Sequence, residues 1–177
     1  TVKILLHLVR SDYVLKRSEK QNRKCPSMSA DTDLIKLYSG RILALAADIP
    51  HLARLDAPMA TVKKRSPLCG SAVTVDLAME DGRVSEFGQD VKACALGQAA
   101  AAVTGAAVIG RTLPELEQAR DSLRAMLKEG GPVPAAPFGG FDVLEPAREY
   151  KNRHASILLC LEATCEAAAK AQQANCA

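Results

Sequence analysis

The sequence predicts an α+β domain, a small three-stranded antiparallel sheet with helices packed on one face. Three observations carry that expectation. Val73, Val75, Leu77 and Met79 alternate with Thr74, Asp76, Ala78 and Glu80, the period-two pattern of a half-buried strand. Asp81-Gly82 follows, a pair favoured in a type I′ hairpin turn because both central residues need positive φ. The third is the order of elements: a helix, then strands, then a series of helices.

Taken in order, Asp31, Thr32 or Asp33 can cap a first helix bearing Leu34, Leu37, Tyr38, Ile42, Leu45 and Ile49, which Pro50 stops. A loop of small and polar residues leads to TVKKRS at 61–66, read as a short edge strand. The hairpin comes next. On its return strand Val84 is followed by Phe87, Gln89 and Val91, a change of parity that predicts a bulge between Ser85 and Gly88. Cys94 then opens an Ala-rich helix with Leu96, Ala99, Val103 and Ala107 on one face, ended by Gly110. Thr112-Leu-Pro-Glu115 has the form of a capping box, with Pro in the first turn where its missing N–H costs nothing. That helix should bury Leu116, Ala119, Leu123, Met126 and Leu127 and end at Gly130-Gly131. Residues 130–141 read as a mobile Gly/Pro loop, and Asp142 to Tyr150 as one helical turn. Asn152 caps a last helix, with Ile157, Leu158, Leu161 and Cys165 inward.

Composition narrows the function. A chain of 177 residues that is 48% apolar suits one domain with a proper core. No apolar run approaches the roughly 18 to 20 residues of a membrane span, so no membrane partner is expected. Aromatics make up 3% and Trp is absent, which argues against a base-stacking surface. The net charge of +3 is unevenly spread: residues 1–27 hold seven Lys/Arg and two Asp/Glu, and residues 28–177 hold sixteen and eighteen. The body is therefore mildly acidic, and nucleic acid is not an expected partner. The opening TVKILLHLVR is too short for a signal h-region of about 7 to 15 apolar residues. Residues 1–27 are expected to be an extension outside the fold, with 28–177 as a single domain. The six cysteines then point to reduced thiols, metal ligation or packing in a cytoplasmic protein.

A hairpin brings the two ends of its ladder together, so Cys69, just before the outgoing strand, and Cys94, just after the returning one, should lie close. Cys94 also starts a helix, where free N–H groups and the dipole favour a thiolate. Taken singly, each cysteine is more often a small buried hydrophobe. His154 opens the last helix, where a lone His is usually a surface cap residue. Two thiolates and an imidazole meeting at one end of a sheet would form a soft site, suited to zinc or iron–sulfur.

SPLCGS (66–71), KACALGQA (92–99) and RHASILL (153–159) resemble the U-type iron–sulfur scaffold family, which comprises the NifU amino-terminal domain, IscU and SufU. The likeness runs over about residues 34–170 and includes the order of helices and the capped helix at 112–129. It implies the scaffold fold, with Cys69, Cys94 and His154 as the ligands of a transient iron–sulfur cluster or of zinc. Ser71 stands where the family has Asp, and Ala155 where it has its third Cys. Cys160, five residues past Ala155, lies about 140° around the helix, and it and Cys165 are expected in the core. The insertion at 130–141 resembles the SufU branch, and the Leu-Pro-Pro-Val-Lys segment of IscU does not precede His154.

The resemblance implies a non-enzymatic scaffold or sulfur acceptor. Its partners would be a cysteine desulfurase and apo iron–sulfur acceptor proteins. The alternative is a zinc-binding interaction protein that kept the fold and lost cluster assembly. A third reading, a thiol enzyme with Cys94 as nucleophile and His154 as base, requires the two within about 3 Å.

Overall fold

The structure, a computed structural model, describes residues 40–67 and 69–175. The expected cap at Asp31–Asp33, Leu34, Leu37, Tyr38 and the boundary at Met28 lie outside the described residues. So does Leu68.

Helix α1 spans Gly40–Ala47 and buries Ile42. Strands β1 (Ala60–Arg65), β2 (Ala72–Glu80) and β3 (Arg83–Lys92) form an antiparallel sheet in the order β1-β2-β3. The turn residues Asp81 and Gly82 sit at φ 50° and 73°, as a type I′ turn requires. Ala78 pairs with Glu86 and Met79 with Val84. Ser85 is therefore the extra residue, and the bulge falls at the edge of the expected interval.

The alternation on β2 is only half of what forms. Val73, Val75, Leu77 and Met79 are buried as expected, but so are Thr74 and Asp76. The chain between α1 and β1 covers that second face. Arg54 pairs with the Asp76 carboxylate, Leu55 N donates to it across 3.2 Å and Thr61 Oγ1 across 2.6 Å. Gly88, the β3 partner of Asp76, leaves room for this crossing, because a Cβ there would run into the Ala53 carbonyl. A carboxylate with this many donors can be buried without an orphaned charge.

The free edge of β3 is covered as well. Gln89 N donates to His51 O, and Val84 exchanges backbone hydrogen bonds with Arg111 and Gly110. This protection suits a sheet of only three strands.

Helix α2 (Ala95–Ala107) is followed by α3 (Leu113–Glu129). The Thr112–Glu115 capping box is complete, α3 buries the five expected residues, and Gly130 ends it at φ 72°. The expected mobile loop and single turn are replaced by packed structure. A 3-10 helix covers Phe138–Glu149. Phe138, Phe141, Leu144 and Ala147, three apart, are all buried, and a 3-10 helix lines up residues at that spacing. The rings of Phe138 and Phe141 stack at 6.3 Å. Their anchoring gives the Gly/Pro-rich stretch a place in the core.

Helix α4 (Lys151–Asn175) starts one residue before the expected cap at Asn152. It packs on β1 and β2 and against α2 and α3. Its buried positions run all around the helix rather than along one stripe, the mark of a helix enclosed by its neighbours. Buried Gln89 ties the layers together, donating to Pro50 O and Ala101 O while Cys160 Sγ donates to its Oε1. Among the described residues no helix is long and apolar enough to cross a membrane.

Candidate functional site

Cys69 sits in the turn between β1 and β2. The turn is closed by Ser66 N donating to Ser71 O across 2.8 Å, and Gly70 takes φ 69°. Cys94 is the N-cap of α2 and makes no side-chain capping bond. Both thiols are partly exposed. β2 and β3 start and finish at the same end of the sheet, where Ala72 pairs with Lys92, and this brings the two turns together.

Two buried hydroxyls join the thiols. Cys69 Sγ lies 3.1 Å from Ser71 Oγ, Ser156 Oγ donates to Ser71 Oγ across 3.0 Å, and Cys94 Sγ lies 3.5 Å from Ser156 Oγ. Ser66 Oγ adds a second hydroxyl 3.2 Å from Cys69. Burial raises the pKa of Cys69, but hydrogen bonds from Ser66, Ser71 and Ser156 outweigh it and bring the thiol down to about 7. A thiol at that value is substantially ionised near neutral pH, and the thiolate is the nucleophile and ligand.

Gly97 makes the α2–α4 contact possible. A Cβ on it would lie 2.6 Å from Ser156 Oγ and 3.1 Å from Ser156 O. Only a residue without a side chain lets α4 approach closely enough for Ser156 to reach Cys94.

His154, the expected third ligand, is not joined to the cysteines. Two residues along a helix is about 200° of rotation, so the wheel that aims Ser156 at Cys94 turns His154 away. Its buried Nε2 lies 3.1 Å from both Ala147 O and Arg148 O of the 3-10 helix. Two carbonyls require that nitrogen to carry the proton and donate. Ala155 lines a cavity on the α3 side with Leu127 and Leu158. Among the described residues no group of three His, Cys, Asp or Glu is arranged to hold a metal ion. The thiol end fits a thiophilic cargo, while the imidazole would have to leave its carbonyls to join it. The Cys94–His154 enzyme dyad is likewise not formed, since the neighbour of Cys94 is Ser156.

Cys160 and Cys165 are buried, and burial pushes their thiols up to about 12 and about 11. Both are inert packing groups. The serines were the residues whose role the sequence concealed. Ser66 and Ser71 flank Cys69 in SPLCGS and were visible as neighbours. Ser156 becomes informative only once α4 is packed on α2.

No family model matches the chain, and no curated protein matches it. Among solved structures, the chain is similar to a nitrogen-fixing NifU-like protein (N-terminal) from Brucella abortus. The two are 43% identical with a TM-score of 0.77, over 80% of this chain and 98% of that one. A protein described as a putative iron–sulfur cluster assembly scaffold for the SUF system, from Fervidobacterium islandicum, shares the fold. It has 18% identity and a TM-score of 0.67, over 76% of this chain and 98% of that one.

Proposed function

The chain belongs to the NifU-like, U-type iron–sulfur scaffold family, and from that membership we propose that it is a non-enzymatic scaffold that receives sulfur at Cys69 and Cys94. The observation that carries this reading is the thiol–hydroxyl chain, Cys69 to Ser71 to Ser156 to Cys94, whose hydrogen bonds bring the Cys69 thiol down to about 7. In the loading step the Cys69 thiolate attacks the outer sulfur of a donor persulfide. The donor leaves as its thiolate and Cys69 becomes the persulfide. The serine hydroxyls hold the incoming anionic sulfur, as they hold the thiolate. A cysteine desulfurase is the donor this chemistry calls for, and apo iron–sulfur proteins are the acceptors. Reduced thiols fit a cytoplasmic setting.

Iron is cargo here, held by Cys69 and Cys94. His154 becomes the third protein ligand only by giving up Ala147 O and Arg148 O. A set with so few thiolates suits handing cargo onward more than storing it.

The test is anaerobic reconstitution with iron, cysteine and a cysteine desulfurase, read by visible absorbance and by intact-protein mass. The expected result is a labile cluster, or a sulfur adduct on Cys69, that is lost in Cys69→Ser and Cys94→Ser and kept in Cys160→Ser. Loss of the cluster in Cys160→Ser would overturn the ligand assignment. Tight binding of zinc with no uptake of sulfur would favour a zinc-binding interaction protein instead.

A further inference from the structure

A cavity lies on the opposite side of α4 from the thiols. The end of α3, the end of the 3-10 helix and the first turns of α4 border this half-open cavity of about 410 Å³. Its floor is apolar, made by Leu127, Ala155 and Leu158, and its rim carries Lys128, Arg148 and Lys151. Cavities that hold small ligands run from about 300 to 1,000 Å³ and combine an apolar lining with a few polar groups.

The charges are arranged for an anion. Lys128 and Lys151 make no ion pair among the described residues. Glu162, the one carboxylate on the lining, is already held by Arg124 at 3.1 Å. Arg148 Nη2 donates to Gly131 O and to Glu145, while its buried Nε has no partner. The first turn of the 25-residue helix α4 carries no acidic residue to compete for an anion. The Nε2 of His154 is occupied by the backbone carbonyls of Ala147 and Arg148. Two spare ammonium groups and a guanidinium line a half-apolar space.

We propose that this cavity binds a small organic acid, with its carboxylate at Lys128 and Lys151 and its apolar body on Leu127, Ala155 and Leu158. The apolar floor selects against a bare inorganic anion. The positive rim selects against an amine of the same length.

The test is an NMR titration of the ¹⁵N-labelled full chain with hexanoate, hexylamine and inorganic phosphate as separate probes. Hexanoate should move the amide signals of Leu127, Lys128 and residues 151–158 in a saturable way, and hexylamine should not. Lys128→Ala combined with Lys151→Ala removes two exposed charge contacts and should weaken hexanoate by roughly fivefold. Both lysines are exposed, so the fold should be retained, which the remaining spectrum reports. Phosphate binding as tightly as hexanoate would overturn the organic-acid assignment and leave an unselective anion site. Shifts spread over the whole surface, no shifts at all, or an unchanged affinity in the double variant would each remove the site.

Discussion

Ser156 on α4 donates its hydroxyl to Ser71 in the β1–β2 turn across 3.0 Å, and both serines are buried. That bond joins two halves of the thiol site that lie 85 residues apart in the chain. It also makes Ser71, although not an ionisable residue, part of what holds Cys69 ionised.

The reactivity of Cys69 should reflect this. Its thiolate fraction rises through pH about 7, below the ordinary cysteine value of about 8.5. Alkylation by iodoacetamide, followed by mass spectrometry of peptides, should reach half its maximal rate near pH 7 at Cys69. Ser71→Ala and Ser66→Ala should each move the midpoint upward. Cys160 and Cys165 should stay unlabelled in the native protein. A midpoint unchanged in both serine variants would show that the hydroxyls do not set the value.

Asp76 should be a main support of the sheet's outer face. Losing its charge-assisted hydrogen bonds with Asp76→Ala should cost about 2–3 kcal/mol, read as a lower urea midpoint. The Arg54 guanidinium, Thr61 and the Leu55 amide together hold the Asp76 carboxyl below its ordinary value, against the opposing effect of burial. A depressed carboxylate stabilises the fold above its ordinary pKa of about 4, and that contribution fades as pH falls through the lower folded value. The gap between wild type and Asp76→Asn should therefore be full at pH 6 and shrink on acidification below about pH 4. A gap that widens in acid would refute the assignment.

Gly97→Ala places a methyl group 2.6 Å from Ser156 Oγ and 2.8 Å from Ala93 Cβ. Overpacking of this kind costs about 1–3 kcal/mol. It should also push α2 off α4 and separate Cys94 from Ser156, so sulfur retention should fall further than stability alone explains. Gly139→Ala, where the nearest heavy atom is 3.9 Å away, is the matched control and should change neither.

His154→Gln keeps a donor for Ala147 O and Arg148 O but cannot act as an imidazole ligand. Stability should stay within about 1 kcal/mol of wild type and sulfur uptake at Cys69 should be unchanged, while the cluster is shorter-lived. An unaltered cluster lifetime would confine His154 to a structural role.

Much of the fold was legible because local chemistry agreed with the tertiary outcome. Asp81-Gly82 favours the type I′ turn that formed, and Thr112 with Glu115 formed the capping box their spacing suggested. Periodicity failed where burial comes from two sides. Thr74 and Asp76 look solvent-facing in a strand, and nothing local reveals that Arg54 and Leu55 cross above them. The 3-10 segment escaped because its spacing of three lies between the strand and α-helix patterns, and Gly and Pro masked it. At the site, the pairing of Cys69 with Cys94 came from hairpin geometry. The orientation of His154 did not, since it depends on the rotation of α4 and on carbonyls supplied by another element.

The 3-10 helix has a consequence for how this protein can change in length. With three residues per turn, Phe138, Phe141, Leu144 and Ala147 form a row that counts in threes. Inserting or deleting one residue inside it would rotate the downstream part of the helix by about 120°, carrying Leu144 and Ala147 out of the core and displacing the two carbonyls that hold His154. A change of three residues would slide the row along its own axis and keep its face. Length variation among relatives in this segment should therefore come in multiples of three, while the stretch before Pro134 is free of that arithmetic.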